Sequence, residues 1–370
     1  MVQEIFDRAL SCLQEGLPFV IYRKPNTAVL TAIFQKDDSL HFISDFSESG
    51  FVFAPFNSDS STILLHKDEY LTAQLQPSDT SSKNDSFITN VNETEKDDYM
   101  KLVAKAISEI NNGELDKVVL SRKIDVLGSV DHFEMFQRMQ NEYPKAFCYL
   151  WHHPKVGTWM GATPEILVNT KGIEFTTMSL AGTQSSNELG KPQWTTKEFT
   201  EQQMVTDYIK EALKNEVSSI RTSEVESIQA GQLWHLRTKL NGRFSPSKFG
   251  NLLRALHPTP AVCGTPMQKA KNFIHENEYY DRTYYTGFLG ELNFKGELSR
   301  NRNTRNQENS AYKSVVKKSE LFVNLRCMQI HTDKVSIYVG GGITCDSIPK
   351  NEWDETVLKS NTMFRILNMK

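Results

Sequence analysis

The chain has 370 residues and a mass of 42.3 kDa, which is enough for about two ordinary domains or one large one. With 39% hydrophobic residues, 24% charged residues and a net charge of −3, the composition excludes fibrous and disordered proteins and argues against a strongly basic nucleic-acid-binding protein. No apolar run approaches the ~18 residues of a membrane span, the start lacks a signal-peptide pattern, and the five cysteines are widely spaced. We therefore expect a cytoplasmic protein without disulfides or structural zinc.

The N-terminal part predicts one helix followed by short strands. Apolar residues from Val2 to Leu13 follow the spacing of one helical face. Strands are predicted at residues 19–22, 28–34, 51–53 and 63–65. The polar segment 77–96 predicts an exposed connection, and we place a soft boundary there.

The rest of the chain predicts helices mixed with hairpin-like groups of strands. Helices are predicted at residues 99–112, 197–217, 249–256, 267–278 and 352–369. Strands are predicted at residues 118–126, 233–240, 285–294, 321–330 and 335–339, with at least two more within 159–183. Because helices do not separate every pair of strands, the order favours the α+β class over a doubly wound parallel sheet. The segment 299–318 carries six basic residues and predicts a long exposed hairpin tip.

Two helices carry carboxylates that have both a structural and a chemical explanation. Residues 195–198 fit a capping box, which explains Glu198, whereas Glu201 heads an apolar face. Glu201 is therefore either a first-turn residue favoured by the helix dipole or a ligand. In the last helix Glu352, Glu355 and Lys359 share one side, which is typical of a solvated face with a small salt bridge.

Three further segments leave their roles open. The run from Gly340 to Gly342 follows a predicted strand and is either a tight turn or a backbone site for an anion. Arg326 lies in an otherwise apolar predicted strand, so it either faces solvent or anchors a carboxylate. His257, in a His-Pro-Thr-Pro stretch, is in a rigid turn that serves shape as much as chemistry.

Taken together, these segments resemble the chorismate-utilising enzymes. The matching stretches run in family order from Tyr99 to the C-terminus and lie at residues 117–122, 161–165, 180–183, 257–261, 280–282, 324–327, 340–342 and 352–356. The resemblance implies two large antiparallel sheets packed face to face, with helices on the outside and the active site in a cleft. We expect residues 1–98 to complete this fold and residues 99–370 to form the chorismate-binding catalytic region, in one large structural domain.

The resemblance also implies a magnesium site and a substrate site. Glu201 and Glu355 would bind Mg²⁺, with Glu198 and Glu352 orienting its water ligands. The implied substrate-binding residues are Gly182, Thr183, His257, Ala261, Tyr285, Arg326, Gly340, Gly341, Gly342 and Lys359. Gln202 departs from the family, in which a His often follows the metal ligand.

The implied reaction depends on Lys117, because relatives that add ammonia carry Gln there and relatives that add water carry Lys. Lys117 would take a proton from water attacking C2, and Glu165 would protonate the departing C4 hydroxyl. This predicts an isochorismate synthase, an isomerase that feeds menaquinone or catecholate siderophore synthesis. A salicylate synthase, which goes on to release pyruvate, is the alternative, and Ala261 argues against it because those relatives tend to have Thr.

Chorismate is the expected partner, in a monomer that has no amidotransferase subunit and contacts neither nucleic acid nor membrane. An alternative of another class is a binding module that uses the basic segment 299–318. Aromatic residues for base stacking are scarce there, which disfavours it.

Overall fold

The computed structural model describes residues 1–76, 93–185, 192–230, 233–298 and 314–367. Within these ranges the α-helices are α1 (Val2–Glu15), α2 (Glu93–Asn111), α3 (His132–Glu142), α4 (Thr196–Leu213), α5 (Phe249–Leu256), α6 (Met267–Asn277) and α7 (Pro349–Phe364). No helix of the described ranges is both long and apolar enough to cross a membrane.

The strands of the described ranges form two antiparallel sheets. The strands are β1 (Phe19–Arg23), β2 (Val29–Phe34), β3 (His41–Phe42), β4 (Gly50–Ala54), β5 (Ile63–Leu65), β6 (Glu69–Gln74), β7 (Lys117–Leu127), β8 (Phe147–His153), β9 (Gly157–Thr163), β10 (Ile166–Lys171), β11 (Glu174–Ser185), β12 (Val217–Thr222), β13 (Glu226–Ala230), β14 (Leu233–Phe244), β15 (Gly264–Thr265), β16 (Phe288–Leu298), β17 (Ser314–Val323), β18 (Cys327–Ile330) and β19 (Lys334–Ile343).

Nine strands form the first sheet, in the order β15-β7-β19-β18-β9-β8-β1-β2-β6. The second sheet has ten strands, in the order β12-β14-β11-β10-β17-β16-β4-β5-β3, with β13 paired to β14. The early strands therefore enter both sheets: β1 pairs with β8 of the first sheet, and β4 pairs with β16 of the second.

The two sheets face each other across an aromatic core. Phe53 of the second sheet lies 4.7 Å from Trp151 of the first, and Phe147 stacks on Phe322 at 4.2 Å between ring centroids. Such rings bury large apolar areas, so they supply much of the stabilisation between the sheets. The outer face of the first sheet packs against α1 and α3, and that of the second packs against α4 and α5. The predicted α+β class, with two antiparallel sheets face to face, is confirmed.

Several predicted elements differ from the structure in their bounds or nature. The helix predicted at 197–217 ends at Leu213, and the last helix spans Pro349–Phe364 rather than 352–369. The strand predicted at 321–330 is two strands, β17 and β18, separated by residues 324–326. Helix α3 and strands β3, β6, β8, β12, β13 and β15 were not predicted.

The two polar segments lie largely outside the described residues. Of the connection predicted at 77–96, residues 93–96 belong to α2. Of the hairpin tip predicted at 299–318, residues 314–318 belong to β17, so Lys317 and Lys318 are strand residues. The remaining residues of both segments, 77–92 and 299–313, are not described.

Candidate active site

A cavity of about 160 Å³, which we call the inner cavity, is lined by residues of β7, β11, β14, β19, α4 and α7. It brings together most of the predicted site residues from distant parts of the sequence. Those that line it are Lys117, Glu165, Gly182, Glu198, Glu201, Ala261, Tyr285, Arg326, Gly340, Gly341, Gly342, Glu352, Glu355 and Lys359.

His257 is not in the inner cavity. It follows α5 and lines a separate cavity, with Nε2 3.0 Å from the carbonyl oxygen of Pro55 and its ring edge-on to Phe288. Burial lowers its pKa to about 4, so the ring is neutral and Nε2–H donates to the carbonyl. His257 thus supports the fold here. Thr183 lies in β11, but its side chain is outside the described residues.

Lys117 is the first residue of β7 and is almost fully buried, with 2% of its surface exposed. Its Nζ lies 2.6 Å from Oε1 of Glu201, a residue of α4. A buried lysine requires such a partner because an isolated charge is strongly disfavoured away from water. The strand and the helix therefore meet at a charged pair inside the cavity.

Of the two alternatives for Gly340 to Gly342, the tight turn is wrong, because all three glycines belong to β19 and pair with β7, and the backbone anion site stays a prediction. The reason for glycine is space. A Cβ on Gly342 would lie 2.9 Å from Cε of Lys117 and 3.2 Å from Oε1 of Glu201. The missing side chain at Gly342 allows Lys117 and Glu201 to meet.

Glu165 lies in the connection between β9 and β10, where the chain is fastened to β17. Val323 donates its backbone N–H to the carbonyl of Glu165 at 3.0 Å, and the hydroxyl of Thr163 donates to the carbonyl of Val323 at 2.6 Å. Burial raises the pKa of Glu165 to about 7, although the nearby cations Arg326, Lys117 and Lys359 oppose the shift. This carboxyl therefore exchanges its proton near neutral pH.

The first turn of α4 confirms the capping box. Thr195 and Glu198 satisfy each other's backbone N–H groups. Burial alone would raise the pKa of Glu198, but hydrogen bonds from Thr195 and Gln184 outweigh it and lower the pKa. Gly182 lies at a bulge of β11 with φ +73°, and its missing Cβ would be 3.1 Å from Cβ of Glu198.

Helix α7 brings the second group of charges. Lys359 Nζ lies 2.5 Å from Oε1 of Glu355, which confirms the predicted pair, and 2.9 Å from the carbonyl oxygen of Gly340, to which it donates. The helix is anchored on β7 through Arg122, whose Nε donates to Thr356 and whose guanidinium lies 4.0 Å from the ring of Trp353.

Arg326 is not in a strand, contrary to the prediction. It occupies the connection between β17 and β18 with φ +48°, a left-handed conformation that interrupts the pairing. Its carbonyl accepts from the N–H of Ala162 at 3.0 Å, and the neighbouring Asn324 accepts from Tyr149 at 2.5 Å. These contacts hold the connection against the first sheet and place Arg326 in the cavity wall.

His235 of β14 also lines the cavity and was not predicted. Its Nδ1 lies 3.0 Å from the carbonyl oxygen of Gly182, which can only accept, so Nδ1 carries the proton. Burial, together with Arg326 and Lys359, lowers the pKa of His235 to about 3, so the ring stays neutral. His235 lies opposite Thr183 in the pairing of β14 with β11, and no pattern in the sequence predicts this pairing.

Of the predicted family motifs, the stretch at 280–282 contacts the backbone of β7, which forms part of the cavity wall. Arg282 pairs with Glu278 at 2.5 Å and donates to the carbonyl of Val119 at 2.6 Å. Glu278 in turn accepts from the backbone N–H of Ser121 at 2.7 Å. This buried pair therefore positions β7, which carries Lys117.

Sequence models of chorismate binding enzymes match residues 54–299 and 311–365. The chain belongs to the chorismate-binding enzyme family. Two of its relatives are isochorismate synthase EntC of Escherichia coli strain K12, 29% identical over 74% of this chain and 68% of that protein, and isochorismate synthase DhbC of Bacillus subtilis strain 168, 28% identical over 74% and 69%.

Solved structures show the same fold for this chorismate-binding enzyme. The menaquinone-specific isochorismate synthase MenF of Escherichia coli matches with a TM-score of 0.73 and 19% identity over 95% of this chain and 89% of that one. A structure described as a 2,3-dihydroxybenzoate-specific isochorismate synthase, DhbC of Bacillus anthracis, matches with a TM-score of 0.78 and 22% identity over 98% and 100%.

The carboxylates of the cavity fit the chemistry of a hard divalent cation. A Cβ on Gly341 would lie 3.5 Å from Oε2 of Glu352 and 3.9 Å from Oε1 of Glu355, while Glu201 lies next to Gly342. Oxygen donors of this kind suit Mg²⁺. In the present arrangement Glu201 and Glu355 each contact a lysine, and within the described ranges no three acidic, His or Cys side chains surround one point.

Proposed function

We propose that this chorismate-binding enzyme is an isochorismate synthase that converts chorismate to isochorismate. The observation that carries the proposal is that Lys117 and Glu165 line the same cavity, one as a buried amine and the other as a carboxyl whose pKa is about 7. These are the two groups that water addition with loss of a hydroxyl requires. The relatives EntC and DhbC carry the same activity in their names.

The reaction uses Lys117 as base and Glu165 as acid. Water attacks C2 of the ring and gives a proton to Nζ of Lys117, which acts as a base only once the charged form paired with Glu201 has lost a proton. The two ring double bonds shift, and the C4–O bond breaks. Glu165 protonates the departing hydroxyl, so a water molecule leaves and the composition of the substrate is unchanged. The amine must first give up its contact with Glu201.

The substrate carries two carboxylates, and the cavity has separate groups for each. Arg326 and Tyr285 are proposed to hold the enolpyruvyl carboxylate, because guanidinium and phenol groups both donate hydrogen bonds to carboxylates. The backbone of Gly182 and of residues 340–342, with Lys359, is proposed to contact the ring carboxylate.

Glu201 and Glu355 are proposed to hold Mg²⁺, with Glu198 and Glu352 beside them. A cation held by these residues would supply positive charge for the substrate carboxylate. The two lysines that now contact Glu201 and Glu355 would be released toward the substrate. All four carboxylates line the inner cavity, which supports this assignment.

The proposed product suits a pathway that consumes isochorismate, for menaquinone or for a catecholate siderophore. Relatives of both kinds are known by name, including the vibriobactin-specific isochorismate synthase of Vibrio cholerae and the menaquinone-specific MenF of Escherichia coli. Because water is the nucleophile, the enzyme is proposed to act without an amidotransferase subunit. A cytoplasmic monomer stays a prediction.

The test is to incubate the purified protein with chorismate and Mg²⁺ and to separate the products by chromatography. Isochorismate is the expected product, and its absence would refute the proposal. Pyruvate released in the same reaction would instead indicate a salicylate synthase.

Lys117→Ala should lower turnover at least about 100-fold, the usual contribution of a positioned base, while the circular dichroism spectrum stays unchanged. The matched control is Lys123→Ala, which removes a half-exposed lysine from the same strand. If Lys117→Ala were as active as the control, Lys117 would not be the base.

A further inference from the structure

A second cavity, of about 530 Å³, adjoins the inner cavity, and we call it the outer cavity. Its walls come from the α3–β8 connection, from β13 and β14, and from the end of α7. Pro164 and Arg326 line both cavities, so these two residues form the boundary between them. Pro164 is also the neighbour of the proposed acid, Glu165.

The outer cavity extends from the protein surface to this boundary. At its mouth Lys145, Gln229 and Arg365 are exposed, whereas Ala162, next to the boundary, is buried. A solute that enters at the mouth therefore arrives at Arg326, the charged residue that the two cavities share, before it enters the inner cavity.

The described lining of the outer cavity holds four cations and one carboxylate, and Arg237 is paired with Glu226, which lies outside the lining, at 2.9 Å. Lys145, Arg237 and Arg326 line it together with Arg365, which lies 3.5 Å from Glu142, the acidic residue among the described lining. Between these charges the wall is apolar, with Tyr143, Ile228 and Leu358. A cavity lined by cations attracts anions and raises their local concentration, and apolar walls suit a hydrocarbon ring.

We propose that the outer cavity is the passage through which chorismate enters and isochorismate leaves. The inference rests on the proposed function, since that function supplies the cyclic dicarboxylate that the passage fits. Substrate and product have the same charge and composition, so one passage serves both. A substrate carboxylate that reaches the boundary can bind Arg326, whose side chain also lines the inner cavity.

The passage is tested by narrowing its mouth in steps. Gln229→Cys is made in a Cys345→Ser protein, because Cys345 is exposed and the other four cysteines are buried. The new thiol is alkylated either with iodoacetamide, a small reagent, or with a maleimide that carries a long poly(ethylene glycol) chain. Lys145→Cys provides a second position at the mouth, in case the first variant folds poorly, and because it also removes a cation, each labelled protein is compared with the same variant before labelling.

We expect the polymer to lower kcat and kcat/KM by at least about tenfold, because entry and exit both slow, and the small reagent to change them less than about twofold. The control is Lys155→Cys, at the far end of β8 from the outer cavity, whose labelling should leave both constants unchanged. If the polymer labels the mouth fully, as verified by mass, and kcat and kcat/KM stay unchanged, the proposed passage is refuted. Wild-type protein that makes no isochorismate would instead refute the proposed function, and the passage with it.

Discussion

Replacing Glu165 by glutamine removes a buried carboxyl while keeping its shape. Glu165 is 6% exposed, and burial raises its pKa from an ordinary 4.5 to about 7, against the opposing effect of Arg326, Lys117 and Lys359. The unfolded chain has the ordinary pKa. Between these two values the native state therefore holds a proton that the unfolded state has released.

The sign of the effect on stability follows from proton binding. Because the native state binds the proton more tightly, the contribution of Glu165 to the free energy of unfolding is fully present below about pH 4.5 and is lost as the pH rises through about 7. The interval between the two pKa values corresponds to a decrease of about 3 kcal/mol in the free energy of unfolding. The amide that replaces the carboxyl does not titrate, so Glu165→Gln should gain stability relative to wild type by nearly this amount above neutral pH.

The measurement is urea unfolding of both proteins, in buffers from about pH 5 to about pH 8, with the free energy of unfolding extrapolated to water. We expect the difference between variant and wild type to grow by about 2 kcal/mol over this range, since part of the loss has already occurred at the lower limit. The control is Glu174→Gln, which makes the same change at an exposed carboxylate. A constant difference for Glu165→Gln would show that its carboxyl titrates alike in both states, and would refute its assignment as an acid tuned by burial.

Three further results are expected. Turnover should fall to background with EDTA and return with Mg²⁺, and activity that persists in EDTA would refute the metal assignment. Glu355→Gln should raise the Mg²⁺ concentration needed for half-maximal turnover, because a proposed ligand loses its charge. Arg326→Lys should raise the KM for chorismate at least about tenfold, since Lys lacks the planar fork of donors, and an unchanged KM would contradict its contact with a carboxylate. Gln202→Ala should lower the free energy of unfolding, measured in urea, by about 1–3 kcal/mol. The reason is that the Gln202 amide donates hydrogen bonds to the buried hydroxyls of Thr238 at 2.7 Å and Ser179 at 2.9 Å, and both are lost. A difference near zero would mean that water takes the place of the amide.

Local patterns in the sequence predicted the elements that carry the site. The capping box at Glu198 located the start of α4, and the spacing of Glu355 and Lys359 predicted the ion pair of α7. These signals are reliable because they lie within one or two turns of the same helix. The family resemblance then selected Lys117 and Glu165, which no local rule would have singled out.

Features set by distant residues could not be predicted. The glycines 340–342 have the composition of a turn, and the need for glycine at 342 within a strand follows from the space that Lys117 and Glu201 occupy. Arg326 interrupts an apolar run because its connection is fastened to Ala162 of another strand. Strand β8 was missed because it is buried throughout, so its residues do not alternate between apolar and polar.

The pairing of β7 with β19 joins Val118 to Ile343, residues that are far apart along the chain. Closing so large a loop has a high entropic cost, and chains rich in such contacts fold slowly. The site cannot exist in a nascent chain that has yet to make β19 and α7, since Lys117 would then lack the strand beside it and Glu355 would be missing. Recovery of turnover during refolding should therefore trail the recovery of helical signal, so enzymatic activity reports on the last tertiary step of folding.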